Sequence, residues 1–444
     1  MKAQYEEART LVGESAGVLS TELRDRGLIY QWSSDELARR LDHDVMAAYV
    51  GFDPTASSLH VGNLLQICNM RRLQDAGHRP VFVAGGGTGM IGDPSGKSEE
   101  RNLLDDERLH ANLVGVKAQL ERYLDFSADA KAPAIVLNNR EWLAPLTMIE
   151  FLRDVGKHFN VNTMLQKDSV RSRVGEEGGF SYTEFSYMLL QAYDFYHLHV
   201  AHGVGLQLGG SDQWGNITAG IDFVRRKTGH EVFGLTSPLV TRADGKKFGK
   251  SESGAVWLDP SQTSPFQLFQ FFMRSEDEMV ETYLKLFTFL SLEEIRTVVE
   301  RSAGAPERRI AQEVLATEVT TFVHSASDAS AAKRATDALY QGRLHEADLE
   351  TLRVVAGEAP TYSIEATRLD GSPSLVDVVT EWGVIASKGE ARRLIAQGGL
   401  SLNGVKVEDV ARTISRDDLL HGSMMVIRKG KRDYALVELE PRSS

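Results

Sequence analysis

Val45–Gly77, VMAAYVGFDPTASSLHVGNLLQICNMRRLQDAG, decides the fold. Val45 to Phe52 is an apolar run of strand length that turns at Asp53-Pro54. Val61, Leu64, Leu65, Cys68 and Leu73 then recur near helical spacing until Gly77 stops the pattern. The same alternation continues downstream. PVFVAGGG (80–87) reads as strand then loop, Leu103 to Leu124 as an amphipathic helix, and PAIVLNN (133–139) as a strand. PLTMIEFLRDVGKH is helical with Pro145 near its start. SYTEFSYMLLQAYDF (181–195) is helical, GVGLQLGG (203–210) a strand, and DQWGNITAGIDFVRRKTG (212–229) a helix closed by glycine. Strands alternating with helices predict an α/β fold, a mainly parallel sheet with helices on both faces. Ligands in such sheets sit outside the carboxyl ends of the strands.

Beyond this region the pattern changes. Thr241 to Gly254 (TRADGKKFGKSESG) is polar and lysine-rich and reads as a mobile loop. From Pro265 to Gly342 almost every segment has helical periodicity, which predicts a separate all-α domain. Residues 343–373 lack long periodicity and suit a linker. The tail opens with a cap-like Ser374 and Asp377, then Ser387 to Glu390 as a capping box before Arg392 and Arg393. Asn403-Gly404 between two apolar runs is a hairpin signal. The expected division is 1–255, 256–345, a linker over 346–373, and a small α+β domain over 374–444.

The 444 residues, 42% of them hydrophobic, exceed what one domain needs and exclude a mainly disordered chain. No apolar run reaches the length of a membrane span. The start MKAQYEEART is too polar for a signal peptide, and the single Cys68 fits a reducing compartment, so a cytoplasmic protein is expected. The net charge of −12 argues against wholesale basic coating of nucleic acid, DNA included. From Gly371 to Ser444, however, 11 basic residues face 10 acidic ones, so the tail differs from the acidic body.

Four motifs can carry chemistry. Asp53 to Asn63 runs from strand to helix start, where free backbone N–H groups suit phosphate, with Thr55 and His60 as further donors and Gly62 permitting close approach. Alone it reads more readily as a capped helix with a surface histidine, since short motifs recur by accident. Gly85 to Ser98 resembles a phosphate loop but fails the pattern, because Ile91 stands where glycine is required. It can still be a plain glycine turn, or a loop whose Asp93 takes a cation and whose Lys97 and Arg101 meet phosphate. Tyr187, Gln191 and Asp194 share one face of an apolar helix, for internal hydrogen bonding or for a ligand. Lys246, Lys247 and Lys250 lie on a glycine-flanked loop that could close over polyphosphate or simply be solvated. His197, His199 and His202 lack the partners a zinc site requires, so no metal is expected.

Together and in this order, the motifs resemble the class I tyrosyl-tRNA synthetases of bacteria over essentially the full length. YVGFDPTASSLHVGN resembles the family's opening segment, and GDPSGK, YMLLQAYD, QLGGSDQWGNI and KFGKS follow in family order. The tail resembles a small RNA-binding fold shared with a ribosomal protein. The resemblance implies a Rossmann-like catalytic domain, tyrosine activation with ATP and Mg²⁺, and transfer to tRNA(Tyr). It implies that Tyr49 and Asp194 hold the phenol, that Asp93, Tyr187 and Gln191 hold the α-ammonium, and that Gln213 lies near the carboxyl group. It places Asp212 by the ribose, Gly62 and Asn63 by the nucleotide, and Thr55 and His60 at the γ-phosphate. Lys97, Arg101, Lys247 and Lys250 would act on pyrophosphate, and Arg392 and Arg393 on RNA. A homodimer with Pro145 to Lys167 near its interface is also implied. Asn63 stands where the fullest motif has histidine, Val50 where some members have cysteine, and KFGKS lacks the methionine of the KMSKS-type loop it resembles. A tryptophan-specific relative and a non-catalytic RNA-binding protein are the rivals; Tyr49 with Asp194 argues against the first and the intact lysines against the second.

Overall fold

The computed structural model describes residues 18–94, 106–167, 170–171, 181–246, 248–251, 254–340, 347–356, 360–430 and 433–440. Packing divides the chain into two compact units, 1–263 with 275–315, and 264–274 with 316–444.

The first unit is built on six strands: β1 (Gln31–Trp32), β2 (Ala47–Phe52), β3 (Arg79–Ala84), β4 (Ile135–Asn138), β5 (Val204–Gly210) and β6 (Phe233–Ser237). They lie in the order β1-β6-β5-β2-β3-β4, parallel except for β1, which pairs antiparallel with β6. β3 and β6 are almost wholly buried, as strands covered on both faces must be. The chain proceeds from β2 outward to β4, then returns to place β5 on the other side of β2. The switch point therefore falls between β2 and β5, where Tyr49 stands opposite Gln207.

Local chemistry sets the helix ends beside this switch. His60 caps the helix Val61–Asp75. Ser181 and Glu184 form a reciprocal capping box for Tyr182–His202, which Gly203 ends in the left-handed conformation at φ 67°. Trp214–Thr228 ends in the same way at Gly229, φ 76°. The helix read from Leu103 runs over Asp106–Tyr123, and the one read from Pro145 starts at Met148 behind a Thr147–Glu150 capping box.

The helices Val280–Phe287 and Leu292–Ala303 belong to this first unit and not to a separate helical domain. The reason is a buried charge. Arg72 donates to the carbonyls of Leu286 (3.2 Å) and Thr288 (2.6 Å), and Arg26 to that of Leu290 (2.6 Å). Arg26 also donates to the carbonyl of Lys285 (3.3 Å), so the two guanidiniums satisfy carbonyls that the end of the helix Val280–Phe287 leaves free, and Arg26 reaches on to the loop beyond it. The loop read over Thr241 to Gly254 contains a short antiparallel pair, β7 (Lys250–Ser251) with β8 (Gly254–Ala255).

In the second unit, Pro265–Met273 packs on Ala326–Tyr340 through the hydrogen bond from Gln270 to Thr336, 2.6 Å. A five-stranded sheet follows, in the order β11-β10-β12-β13-β9. β10 (Leu400–Leu402) and β11 (Val405–Lys406) form the expected hairpin, with Asn403 at φ 52° and Gly404 at φ 84°, the turn that glycine and asparagine permit. β12 (Met424–Lys429) and β13 (Asp433–Leu439) complete the antiparallel part. The stretch read as a linker is structured where it is described. Leu349–Ala356 is helical, and β9 (Thr361–Ile364) pairs parallel with β13. Ile364 and Leu369 enter the same core as Val378, Ile395, Met425 and Val437. Four residues are too short a run for periodicity to reveal, and the strand is specified by that pairing and core.

Candidate active site

A cavity of about 570 Å³ opens at the carboxyl ends of β2 and β5, within the usual range of small-molecule sites. Tyr49, Thr55, His60, Gly62, Asn63, Asp93, Tyr187, Gln191, Asp194, Asp212 and Gln213 all line it, residues drawn from four sequence segments. Lys97, Arg101 and Lys247 lie outside the described residues, as does the side chain of Lys250.

One end is apolar and closed. Tyr49 is only 1% exposed, packs edge-on against Phe195, and its hydroxyl has no hydrogen-bond partner among the described residues. Burial, and then the nearby charge of Asp194, push that hydroxyl well above its ordinary range. Asp194 is buried too. Its two oxygens accept from Asn139 Nδ2 (2.9 Å) and Trp142 Nε1 (2.7 Å). Burial lifts its carboxyl to about 7 despite these donors, which pull the other way, and the charge of Asp53 adds to the rise. Asn139 also donates to Thr88 Oγ1 (2.9 Å) and accepts from the N–H of Gly87 (2.7 Å), so the glycine loop after β3 holds the group that holds Asp194. Glycine is needed there: a Cβ on Gly86 would stand 2.0 Å from Asn138 Oδ1.

The middle is a chain of amides ending on a carboxylate. Gln213 Nε2 donates to Asp93 Oδ2 at 2.6 Å, and Gln191 Nε2 to Gln213 Oε1 at 3.2 Å. Asn216 donates to Gln191 Oε1 at 3.1 Å. The network fixes three side chains by their partners before any ligand enters. Tyr187, 6% exposed, stands one turn from Gln191.

The other end is a helix start. The N–H of Gly62 donates to His60 Nδ1 at 3.0 Å, and that of His60 to Asn63 Oδ1 at 3.1 Å. A neutral His60 therefore carries its proton on Nε2, as a donor. A Cβ on Gly62 would lie 2.7 Å from the His60 ring, so glycine is required by the cap itself. Gly249, at φ 92°, would bring a Cβ within 3.1 Å of the Gly62 nitrogen, so the backbone at Gly249 lies against this helix start. Phe248 anchors the loop between Tyr283 and Phe287, ring centres 4.5 and 5.5 Å away.

Asn139 and Trp142 belong to the site although no sequence motif marks them, whereas Thr88 lies in the glycine loop and Gln207 and Asn216 lie in QLGGSDQWGNI. Gln207 is 2% exposed, lines the cavity beside Tyr49, and its Oε1 has no partner among the described residues. The one available signal for Asn139 is its place just past the end of a strand-like run. The three histidines do not converge: His199 hydrogen-bonds His230 and Val204 O, while His197 stacks on Trp142. Among the described residues no group of three or more His, Cys, Asp or Glu is arranged to hold a metal ion.

The family model for class I tRNA synthetases (W and Y) matches residues 41–341, and that for the SYY-like C-terminal domain of tyrosine–tRNA ligase matches 352–437. The tyrosine–tRNA ligase of Roseiflexus castenholzii is 49% identical over 94% of this chain and 98% of its own length. That of Bacillus caldotenax is 47% identical over 94% and 99%. A C-terminally truncated mitochondrial tyrosyl-tRNA synthetase from Aspergillus nidulans superposes with a TM-score of 0.65 at 31% identity, covering 76% of this chain and 98% of that one. Tyrosyl-tRNA synthetase from Archaeoglobus fulgidus, at 15% identity and a TM-score of 0.52, shares the fold. On a mainly parallel sheet with its cavity at the switch point, matched over 94% of its length by the curated relatives, the chain belongs to the class I tyrosyl-tRNA synthetase family.

Proposed function

We infer that the protein activates L-tyrosine with ATP and then charges tRNA(Tyr). A tyrosine carboxylate oxygen attacks the α-phosphorus of ATP·Mg²⁺, the bond to the bridging oxygen breaks, and pyrophosphate leaves. A terminal hydroxyl of the tRNA then attacks the tyrosyl carbonyl, AMP departs, and the hydroxyl proton passes to phosphate or solvent. Neither step needs a side-chain nucleophile. The work is positioning and stabilisation of developing charge.

The observation that carries this reading is the pairing of the unpartnered Tyr49 hydroxyl with the Asp194 carboxylate at the closed end, opposite a helix start. A phenol entering there supplies the hydrogen bond the Tyr49 hydroxyl lacks, and an indole supplies it poorly. Asp93, Tyr187 and Gln191 then receive the α-ammonium, with Gln213 beside the carboxyl group. Asp212 takes the ribose, and Gly62 and Asn63 the nucleotide. The Nε2–H of His60 and the Thr55 hydroxyl face the γ-phosphate, while Lys97, Arg101, Lys247 and Lys250 hold departing pyrophosphate.

Residues 1–255 hold both small substrates in this reading, and the later helices with the C-terminal sheet meet tRNA. There Arg392 and Arg393 are exposed on Lys388–Ala396, whereas Lys429 is engaged by Glu390 and Arg428 by Ser401. Two chains associate through the helix Met148–Asp154, which buries none of its residues and leaves Met148 75% and Ile149 70% exposed. A single cysteine and no membrane-crossing helix among the described residues support a cytoplasmic setting.

Pyrophosphate exchange with tyrosine and ATP, followed by charging of tRNA(Tyr), tests the whole. Exchange driven equally by tryptophan, or absent with tyrosine, overturns it.

A further inference from the structure

His197 lies three residues beyond Asp194 on the helix Tyr182–His202 and is half-buried. Its imidazole stacks on the indole of Trp142, ring centres 4.5 Å apart and planes within 13°. The pyrrole edge of that indole donates Nε1–H to Asp194 Oδ1 at 2.7 Å. Trp142 sits on the single turn Arg140–Leu143 and is itself buried, 8% exposed, in an apolar cluster with Val83, Phe195 and Leu198. The orientation of the indole is then set by what lies against its faces.

We propose that His197 is a positioning residue for amino-acid selectivity: stacked on Trp142, it fixes the plane in which the indole N–H meets Asp194. The proposal rests on the reading of Asp194 as a phenol ligand. Hydrogen bonds weaken steeply as they bend, so a rotated indole leaves Asp194 held mainly by Asn139. His197 itself does not touch the amino acid. Of the three histidines that stand out in the sequence, His199 is committed to Val204 O and His230, and the ring of His202 lies 6.3 Å from that of His197.

The test compares His197→Ala, His197→Gln, His197→Phe and Asp194→Asn in the full-length enzyme, by pyrophosphate exchange with tyrosine and with phenylalanine. Losing alignment of one hydrogen bond to a charged group should raise the tyrosine KM about twofold to tenfold in the Ala and Gln variants, and lower the tyrosine-to-phenylalanine ratio as much. The rate at saturating tyrosine should stay within about twofold. His197→Phe keeps a flat ring on the indole and should restore both the KM and the ratio, which a residue serving only stability would not require. If the Ala variant does not fold, Gln against Phe makes the same comparison. A parental ratio in the Gln variant, or no restoration by Phe, overturns the proposal. An unchanged ratio in Asp194→Asn would instead overturn the reading of Asp194 on which it rests.

Discussion

The Tyr49 hydroxyl is buried without a partner among the described residues, which costs on the order of 1–3 kcal/mol that a bound phenol can recover. Phenylalanine fills the same space and leaves that hydroxyl unpaired; tyrosyl-tRNA synthetases are already the standard example of selectivity gained in this way. Tyr49→Phe should therefore weaken the use of tyrosine and leave that of phenylalanine nearly unchanged, by about 0.5–1.5 kcal/mol in the ratio of kcat/KM. An unchanged ratio would remove Tyr49 from the phenol site. Asp194 makes a pH prediction. With its carboxyl lifted to about 7, the free enzyme loses the charged acceptor as pH falls through neutrality. The kcat/KM for tyrosine should then fall below about pH 7, a limb that Asp194→Asn should lack. Stability runs the opposite way. The folded state binds this proton more tightly than the unfolded chain, so its stabilising contribution is complete below the ordinary value of 3.8 and is lost as pH rises towards about 7. Tyr49, Asp194, Gln191 and Asp93 are legible in the sequence because motif order marks them. Asn139 and Trp142 are not, because an asparagine and a tryptophan that act by orienting a carboxylate carry no spacing signature of their own.

At the level of elements, the helix start at His60 joins structure to chemistry. The Nδ1 of His60 serves the cap, so a neutral ring carries its proton on Nε2; in the proposed reading, its contact with the phosphates should tighten only as charge builds on them. His60→Ala should slow adenylate formation by about tenfold or more while equilibrium dialysis finds tyrosine affinity unchanged. Lost affinity with a normal rate would reverse the assignment. Element types are readable wherever an apolar period runs long, as in Val61–Asp75 and Tyr182–His202. They are not where pairing partners decide the matter. β9 exists because β13 offers an edge, and Val280–Phe287 joins the first unit because Arg72 reaches its last carbonyls. No local pattern encodes either fact.

For the whole molecule, the core of the C-terminal sheet closes on its own residues from Ile364 onward. Ending the chain just before Pro360 should leave pyrophosphate exchange close to normal and lower tRNA charging steeply. Equal loss of both would make the sheet a stabilising cap, and full charging would end its role in binding RNA. Association is tested by Ile149→Asp, which places a charge in the exposed apolar patch and should convert dimers to monomers in sedimentation. An unchanged particle mass would move the interface elsewhere. The pairing of β2 with β5 reaches further. Tyr49 and Gln207 are sheet neighbours, yet most of the first unit separates them along the chain. A growing polypeptide that has emerged only as far as the helix Tyr182–His202 holds β2 with one edge open. Until β5 arrives that edge is a template for wrong pairing, and tyrosine cannot protect it because its pocket does not yet exist. On the ribosome, the span between these two strands is the interval in which this chain most needs shielding.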